Sequence, residues 1–127
     1  YIGYRPNKFI LENLQNYHIF AYPSIWEETS CISAIECMSA GLYSIVTNYG
    51  ALYETCSEFP IYVQYLEDYK LLAKSFATAI DIAADTLHLD VIQNNLDMQQ
   101  DFYKRFYSWQ KQADTWSNFL RGVTNVK

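Results

Sequence analysis

The sequence predicts an α/β fold in which helices cover both faces of a parallel sheet, as one domain over residues 1–127. Short apolar runs with the length of buried strands alternate with segments whose apolar residues recur at helical spacing. Half of the 127 residues are hydrophobic and 18% are charged, so the chain can bury a core. Strands that alternate with helices of this size form parallel sheets covered on both faces.

The first elements follow from the spacing of apolar residues and from two prolines. Residues 1–3 have the pattern of a strand end, and Pro6 is suited to open a helix. Residues 7–17 place their apolar side chains at helical spacing. The apolar run over residues 18–22 stops at Pro23, and its length predicts a buried strand.

The middle of the chain continues the alternation. A loop over residues 23–30 leads to a helix predicted over 31–40, which Gly41 ends as a C′ glycine. Residues 44–47 are predicted to form the next buried strand, and residues 51–56 a short helix. Another strand is predicted shortly afterwards, at 61–63.

From about residue 67 to residue 122 the chain is predicted to be helical, with Ser108 marking a break between two helices. One apolar stripe contains Leu72, Phe76, Ala79, Ile80, Ala83 and Leu87. A second contains Phe102, Phe106, Trp109, Ala113, Trp116 and Leu120. The second stripe is either core of this domain or a docking face for another domain.

Ligands of such sheets bind beyond the carboxyl ends of the strands, near helix N-termini. This rule points to residues 5–6, 23–32 and 48–51. We therefore expect a ligand site where these three segments meet.

Two glutamates make the second segment chemically distinctive. Glu28 is on the loop, and Glu36 is about one and a half turns into the helix, after a rise of about 7–8 Å. Between them lie free N–H groups that attract phosphate, while carboxylates accept hydrogen bonds from sugar hydroxyls. This order of acid, anion site and acid matches the sugar, diphosphate and ribose of a nucleotide diphosphate sugar. Alternatively, Glu27 and Glu28 only pair with the helix dipole, Thr29 or Ser30 caps the helix, and Glu36 is solvated.

The chain resembles the donor-binding domain of retaining GT-B glycosyltransferases, the group 1 family that includes sucrose synthases and bacterial mannosyl- and glucosyltransferases. The resemblance covers nearly the whole chain in collinear order. The segments that carry it are residues 1–4, Pro23-Ser24, Glu28-x7-Glu36, residues 37–41, residues 50–54 and residues 106–109. It implies a Rossmann-like sheet that is the C-terminal half of a GT-B fold, truncated at its N-terminal side.

The resemblance also implies roles for individual residues. The implied donor-binding set is Tyr4, Arg5, Glu28, Thr29, Ser30, Cys31, Ile32 and Glu36. Glu28 is implied as the catalytic residue at the donor sugar's hydroxyls, and Glu36 as the ligand of the ribose. Backbone N–H groups just after Glu28 would approach sugar and phosphate, and residues 4–5 would flank the base. Residues 29–31 replace a glycine-containing triplet of the family, which leaves the donor sugar's identity open.

The implied activity is transfer of a sugar, with retention, from a UDP- or GDP-sugar to a hydroxyl acceptor in polysaccharide or glycoconjugate synthesis. No metal or other cofactor is expected, since the helix dipole and cationic side chains handle the leaving diphosphate. The chain begins at Tyr1 on strand-like sequence, so we expect a piece of a longer enzyme whose acceptor-binding domain and cationic clamp lie upstream. Alone, it is expected to be inactive.

Two other hypotheses stay open. The chain could be a catalytically inactive fragment that binds nucleotide weakly, or that only forms homodimers through exposed sheet edges. A relative of GT-B epimerases or phosphorylases would share the same half-fold, because fold alone does not determine the reaction.

Charge and cysteine content limit the classes of partner. The net charge of −5 argues against nucleic-acid binding, which needs a basic face. Residues 102–127 nevertheless carry five bases, including Lys127, and one acid, which indicates either a solvated face or contact with a membrane or anionic ligand. The three cysteines lack zinc-binding spacing and fit buried free thiols in a reducing compartment. We expect a cytoplasmic location, with peripheral membrane association of the full enzyme.

Overall fold

The computed structural model describes residues 1–124 and contains a three-stranded parallel sheet in the order β1-β2-β3. Lys127, one of the bases noted above, lies outside the described residues. The elements are α1 (Asn7–Asn13), a 3-10 turn (Leu14–Asn16), β1 (Ile19–Tyr22), α2 (Ile32–Ser39), β2 (Tyr43–Asn48), α3 (Leu52–Cys56), β3 (Ile61–Gln64), α4 (Tyr69–Thr86), α5 (Asp90–Phe106) and α6 (Trp109–Thr124). The predicted α/β class with a parallel sheet is confirmed.

The central strand β2 explains why the sheet needs helices on both faces. All of its residues except Asn48 are buried, and successive side chains point to opposite faces. Ile45 packs into a cluster with residues of α4, such as Phe76, whereas Val46 packs with residues of α2 and α3. α5 in turn packs on α2. The sheet is therefore covered by α4 on one face and by α2 and α3 on the other.

Strand β1 is half-buried rather than buried as its apolar run predicted. It pairs with β2 from Ile19 opposite Tyr43 to Tyr22 opposite Val46, and its other edge has no strand partner among residues 1–124. Ala21 is exposed for this reason. An edge strand can match the length of a buried one, so length alone did not distinguish the two.

The strand predicted at residues 1–3 is wrong, because the segment has irregular structure in the folded chain. Tyr1 and Ile2 are exposed, and Gly3 has a φ of +71°. A three-residue segment that ends in a glycine with a left-handed backbone forms the hydrogen bonds of a sheet only beside a neighbouring strand, and none lies beside it among residues 1–124. This segment therefore leads into α1 as exposed backbone.

The two predicted apolar stripes differ in burial. In the first, Leu72, Phe76, Ala79 and Ala83 are buried, but Ile80 is exposed because it lies at the margin of the face that α4 turns to the sheet. In the second, α6 has no buried residue, and its aromatic side chains are open to solvent. The interpretation of the α6 part as core of this domain is wrong, and its role as a docking face stays a prediction.

The helix break predicted at Ser108 is confirmed, since α5 ends at Phe106 and α6 begins at Trp109. The Ser108 hydroxyl accepts a hydrogen bond from the Lys111 backbone N–H at 3.3 Å, which satisfies one of the free donors of the new helix. None of the helices between residues 1 and 124 has the length and apolar content needed to cross a bilayer.

Candidate functional site

Two loops pack together at the carboxyl edge of the sheet. The Thr47 hydroxyl at the end of β2 donates to the Ser24 carbonyl at 2.6 Å, and the Ala51 N–H donates to the Glu28 carbonyl at 2.8 Å. Gly50 lies between these contacts with a φ of +57°. The structure thus brings together two of the segments that the rule for parallel sheets indicated, residues 23–32 and 48–51.

Close approach of the two loops depends on the absence of a side chain at Gly50. A Cβ atom there would lie 2.8 Å from the backbone nitrogen of Glu28 and 3.0 Å from the Cα of Glu27. Both atoms belong to the backbone and cannot rotate away. Glycine at this position therefore determines where the Glu28 backbone lies.

The Glu28 carboxylate is held by the last residue of β1. The Tyr22 hydroxyl donates to its Oε1 at 2.5 Å, and both side chains are half-buried. The bond favours the neutral phenol, and together with burial it raises the pKa of Tyr22 to about 12. Glu28 is thus oriented by the strand end as well as by its own loop.

We predict that the stability contributed by the bond from Tyr22 to Glu28 is lost in strong alkali. The phenol's pKa rises from 10.0 to about 12 on folding, so its contribution is complete below about pH 10 and is lost as the pH rises through 12. The difference in free energy of unfolding between the wild type and Tyr22→Phe, measured by urea denaturation, should therefore shrink between about pH 10 and 12. A difference that stays constant over this interval would contradict the bond.

The N-terminus of α2 presents backbone donors without a side-chain partner. Its N-cap residue, Cys31, makes no side-chain capping bond, and the first turn contains no acidic residue. By contrast, α4 is capped by Asp68, whose Oδ1 accepts from the N–H groups of Lys70 and Leu71. The first N–H groups of α2 are therefore available to an external anion.

The thiol of Cys31 lies beside the start of α2, where burial outweighs the opposing effect of the backbone N–H groups of Ser33 and Ala34 on its pKa. It is buried against α2 and α3 residues, and burial raises its pKa, so it is neutral at ordinary pH. Cys37 and Cys56 are also free and buried, which confirms the expected buried thiols. A part for Cys31 in donor binding can thus come only from its backbone.

A cavity of about 610 Å³ opens beside α2. Glu36 is its only charged lining residue among residues 1–124, and Ser30 and Ile32 line it next to the start of the helix. Leu11 and Leu14 close it on the α1 side. A smaller cavity of about 310 Å³ between α1, β1 and α2 also reaches Glu36, so this carboxylate borders two open spaces.

The opposite end of the chain supplies a further wall of the larger cavity, with Tyr107, Ser108, Trp109 and Gln112. None of these four residues belongs to the donor-binding set predicted from the sequence. The sequence signal for the first three of them is the segment 106–109, which is one of those that carry the resemblance to the group 1 family.

The predicted site residues separate into two groups. Ser30, Ile32 and Glu36 line the larger cavity, whereas the other predicted residues do not. Thr29 is exposed on the loop, and Tyr4 is 89% exposed. The Arg5 guanidinium donates to the Tyr4 carbonyl at 3.2 Å and lies 5.6 Å from the centroid of the Phe9 ring. Residues 4–5 thus lie in the exposed N-terminal segment and do not line the cavity.

Metal binding has no local support in the described part of the chain. Across residues 1–124, no three side chains of the ligating types lie close enough to hold an ion. The expected independence from metal stays a prediction for the reaction itself.

Comparison with known proteins yields one match. The sequence profile of the family described as glycosyl transferases group 1 matches residues 1–95, which include the whole sheet, the loop with Glu28 and the helix with Glu36. Searches of curated proteins and of solved structures found no match.

Proposed function

Because the chain belongs to the group 1 glycosyl transferases, we propose that it binds the nucleotide diphosphate sugar from which a glycosyl group is transferred. The proposed reaction transfers the sugar to a hydroxyl acceptor with retention, in polysaccharide or glycoconjugate synthesis. The acceptor would be bound by a further domain. Membership of a transferase family favours this function over that of an epimerase or phosphorylase.

The uncapped N-terminus of α2, with a carboxylate on either side of it in sequence, is the observation that best supports this proposal. A diphosphate carries negative charge and many acceptor oxygens, so free N–H groups at a helix start suit it. Glu36 follows one turn later on a cavity wall, where its oxygens can accept from a pair of ribose hydroxyls.

The sugar end of the donor would lie towards Glu28. Its carboxylate keeps one oxygen beyond the bond from Tyr22, and a carboxylate oxygen is a strong acceptor for sugar hydroxyls. Backbone donors of residues 29–32 would contact the phosphates between the two glutamates. Tyr4 and Arg5 remain proposed neighbours of the base.

Glu36→Ala tests this proposal most directly. Titration of the isotope-labelled chain with UDP, GDP and ADP should shift the backbone amides of residues 30–35 with one of the three. Glu36→Ala should weaken that binding about 10- to 100-fold, because hydrogen bonds to charged groups are among the strongest. Glu54→Ala, which removes an exposed acid of α3 outside the cavity, should bind like the wild type.

Other results would overturn the proposal. They are an absence of amide shifts near α2 with all three diphosphates in a folded wild type, or equal weakening in Glu36→Ala and Glu54→Ala. Retained chemical-shift dispersion in both variants would show that they are folded.

The free edge of β1 favours a second candidate, in which the chain is an inactive fragment that self-associates. Among residues 1–124 no strand covers this edge, and Phe9, Ile10 and Leu11 of the neighbouring α1 are exposed. Unpaired strand edges promote pairing between chains. Sedimentation velocity showing a dimer, together with no diphosphate binding, would favour this candidate.

Peripheral membrane contact through the bases of residues 102–124 also remains a proposal.

A further inference from the structure

We propose that Trp109, the first residue of α6, stacks on the base of the bound nucleotide and forms the base end of the donor site. This inference depends on the proposed function and deepens it, because it names a residue for a part of the ligand that Glu28 and Glu36 leave unbound. It adds a stacking surface to the expectation that residues 4–5 flank the base.

The composition of the cavity wall favours Trp109. Trp109 lines the same cavity as Glu36, although 73 positions separate them in the chain. A ribose held by Glu36 carries its base on the carbon opposite the phosphate side, so the base must occupy space next to Glu36 and away from the helix start. The cavity provides that space, and its largest flat side chain is that of Trp109.

The solvent exposure of the Trp109 ring also favours stacking on a ligand. Trp109 is 86% exposed, the highest value of the three tryptophans in the chain. Burial of an indole ring normally contributes strongly to stability, but this fold leaves the Trp109 ring unburied. Stacking against a base covers one face of such a ring, and every base offers a flat π surface for it.

The backbone of Trp109 is held in place although its side chain is exposed. Ser108 caps α6 through Lys111, and the Gln112 side-chain amide donates to the Phe106 carbonyl at 3.0 Å. These bonds define the junction of α5 and α6 on both sides of Trp109. A ring held at its backbone and open at its face is suited to receive a planar ligand without reorganisation of the helix.

Trp116 provides a matched comparison on the same helix. It is 60% exposed and is absent from the cavity lining. It packs edge-to-face with Phe119, with ring centroids 5.8 Å apart. An exposed tryptophan on α6 is therefore not sufficient for the proposed contact, and Trp109 is the one tryptophan of the three that lines the cavity.

Calorimetric titration of the chain with UDP, GDP and ADP tests the inference. Trp109→Ala should weaken binding of the preferred diphosphate roughly 5- to 150-fold, the range expected for the loss of one aromatic stacking partner. Trp109→Phe should recover most of that loss, and Trp116→Ala should bind like the wild type. In the double variant Trp26→Phe/Trp116→Phe, which retains only Trp109, the nucleotide should quench tryptophan emission in a saturable manner.

The outcomes separate this inference from the proposed function. Weakened binding in Glu36→Ala, together with unchanged binding in Trp109→Ala, would overturn the stacking contact and leave the donor site in place. An equal loss in Trp109→Ala and Trp109→Phe, without quenching in the double variant, would also overturn it. A wild type that binds no nucleotide would overturn both.

Discussion

Gly50→Ala is expected to reduce nucleotide binding by more than 10-fold while the sheet stays folded. The new Cβ would lie within 3.0 Å of three backbone atoms, the N and O of Glu28 and the Cα of Glu27. Because none of them can rotate away, the loop that carries Glu28 must move and the bond from Ala51 to the Glu28 carbonyl must lengthen. The left-handed φ of +57° adds about 1–2 kcal/mol of strain for a residue with a side chain.

Gly41→Ala is the matched control for this prediction. Gly41 has a similar left-handed φ of +86°, but its added Cβ would meet only the end of the Gln100 side chain, at 3.2 Å. It should therefore lose stability through backbone strain alone, about 1–2 kcal/mol, and keep its affinity for nucleotide. Urea denaturation and nucleotide titration of both variants measure the two effects separately.

Equal nucleotide affinities in Gly50→Ala and Gly41→Ala would contradict the proposed role of Gly50. Such a result would mean that the loop tolerates the extra atom, or that the Glu28 backbone does not take part in binding. Amide shifts of residues 27–31 distinguish these causes, because they report displacement of the loop directly.

The alternation of strands and helices could be predicted because it depends on local patterns that survive folding. Pro23 and Gly41 mark the ends of a strand and a helix in the structure, as their backbone preferences require. The exposed segment at residues 1–3 and the half-buried β1 could not be predicted in the same way. Both depend on which strands are neighbours, and a run of apolar residues contains no information about its neighbours.

The features of the candidate site also separate into those that local sequence patterns predict and those that depend on tertiary contacts. Glu36 and the free N–H groups of a helix start follow from the predicted helix after the loop, so local reasoning reached them. That no side chain caps this helix depends on which residue is the N-cap, and the structure assigns that position to Cys31. The bond from Tyr22 to Glu28 and the place of Trp109 beside Glu36 are tertiary contacts. They depend on how β1 meets its loop and on how α5 returns across α2, neither of which a periodic pattern specifies.

Gln99→Ala is expected to lower the free energy of unfolding by about 2–4 kcal/mol. The side chain is fully buried, and its Nε2 donates to the carbonyls of Met38 at 3.2 Å and Leu42 at 3.1 Å. These bonds attach α5 to the end of α2 and to the turn before β2. Removing them also leaves a void where the side chain was.

Gln99→Leu should lose less than Gln99→Ala, which separates packing from hydrogen bonding. Leucine fills most of the space and removes an Oε1 atom that has no hydrogen-bond partner among residues 1–124. The two carbonyls keep other donors, the N–H of Gly41 for Met38 and the Ser44 hydroxyl for Leu42, so they are not left unpaired. Gln100→Ala, at the half-buried neighbouring position, should change the free energy of unfolding by less than about 1 kcal/mol.

Nucleotide affinity should be the same in folded Gln99→Ala as in the wild type, because neither Gln99 nor the residues that it bonds, Met38 and Leu42, line the larger cavity. Urea denaturation measures the stability order, and titration below the unfolding range measures the affinity. Weaker binding in a folded Gln99→Ala would show that the position of the whole α2 helix, and not only its first turn, determines the donor site. Equal stabilities of the alanine and leucine variants would instead assign the loss to the two hydrogen bonds rather than to the void.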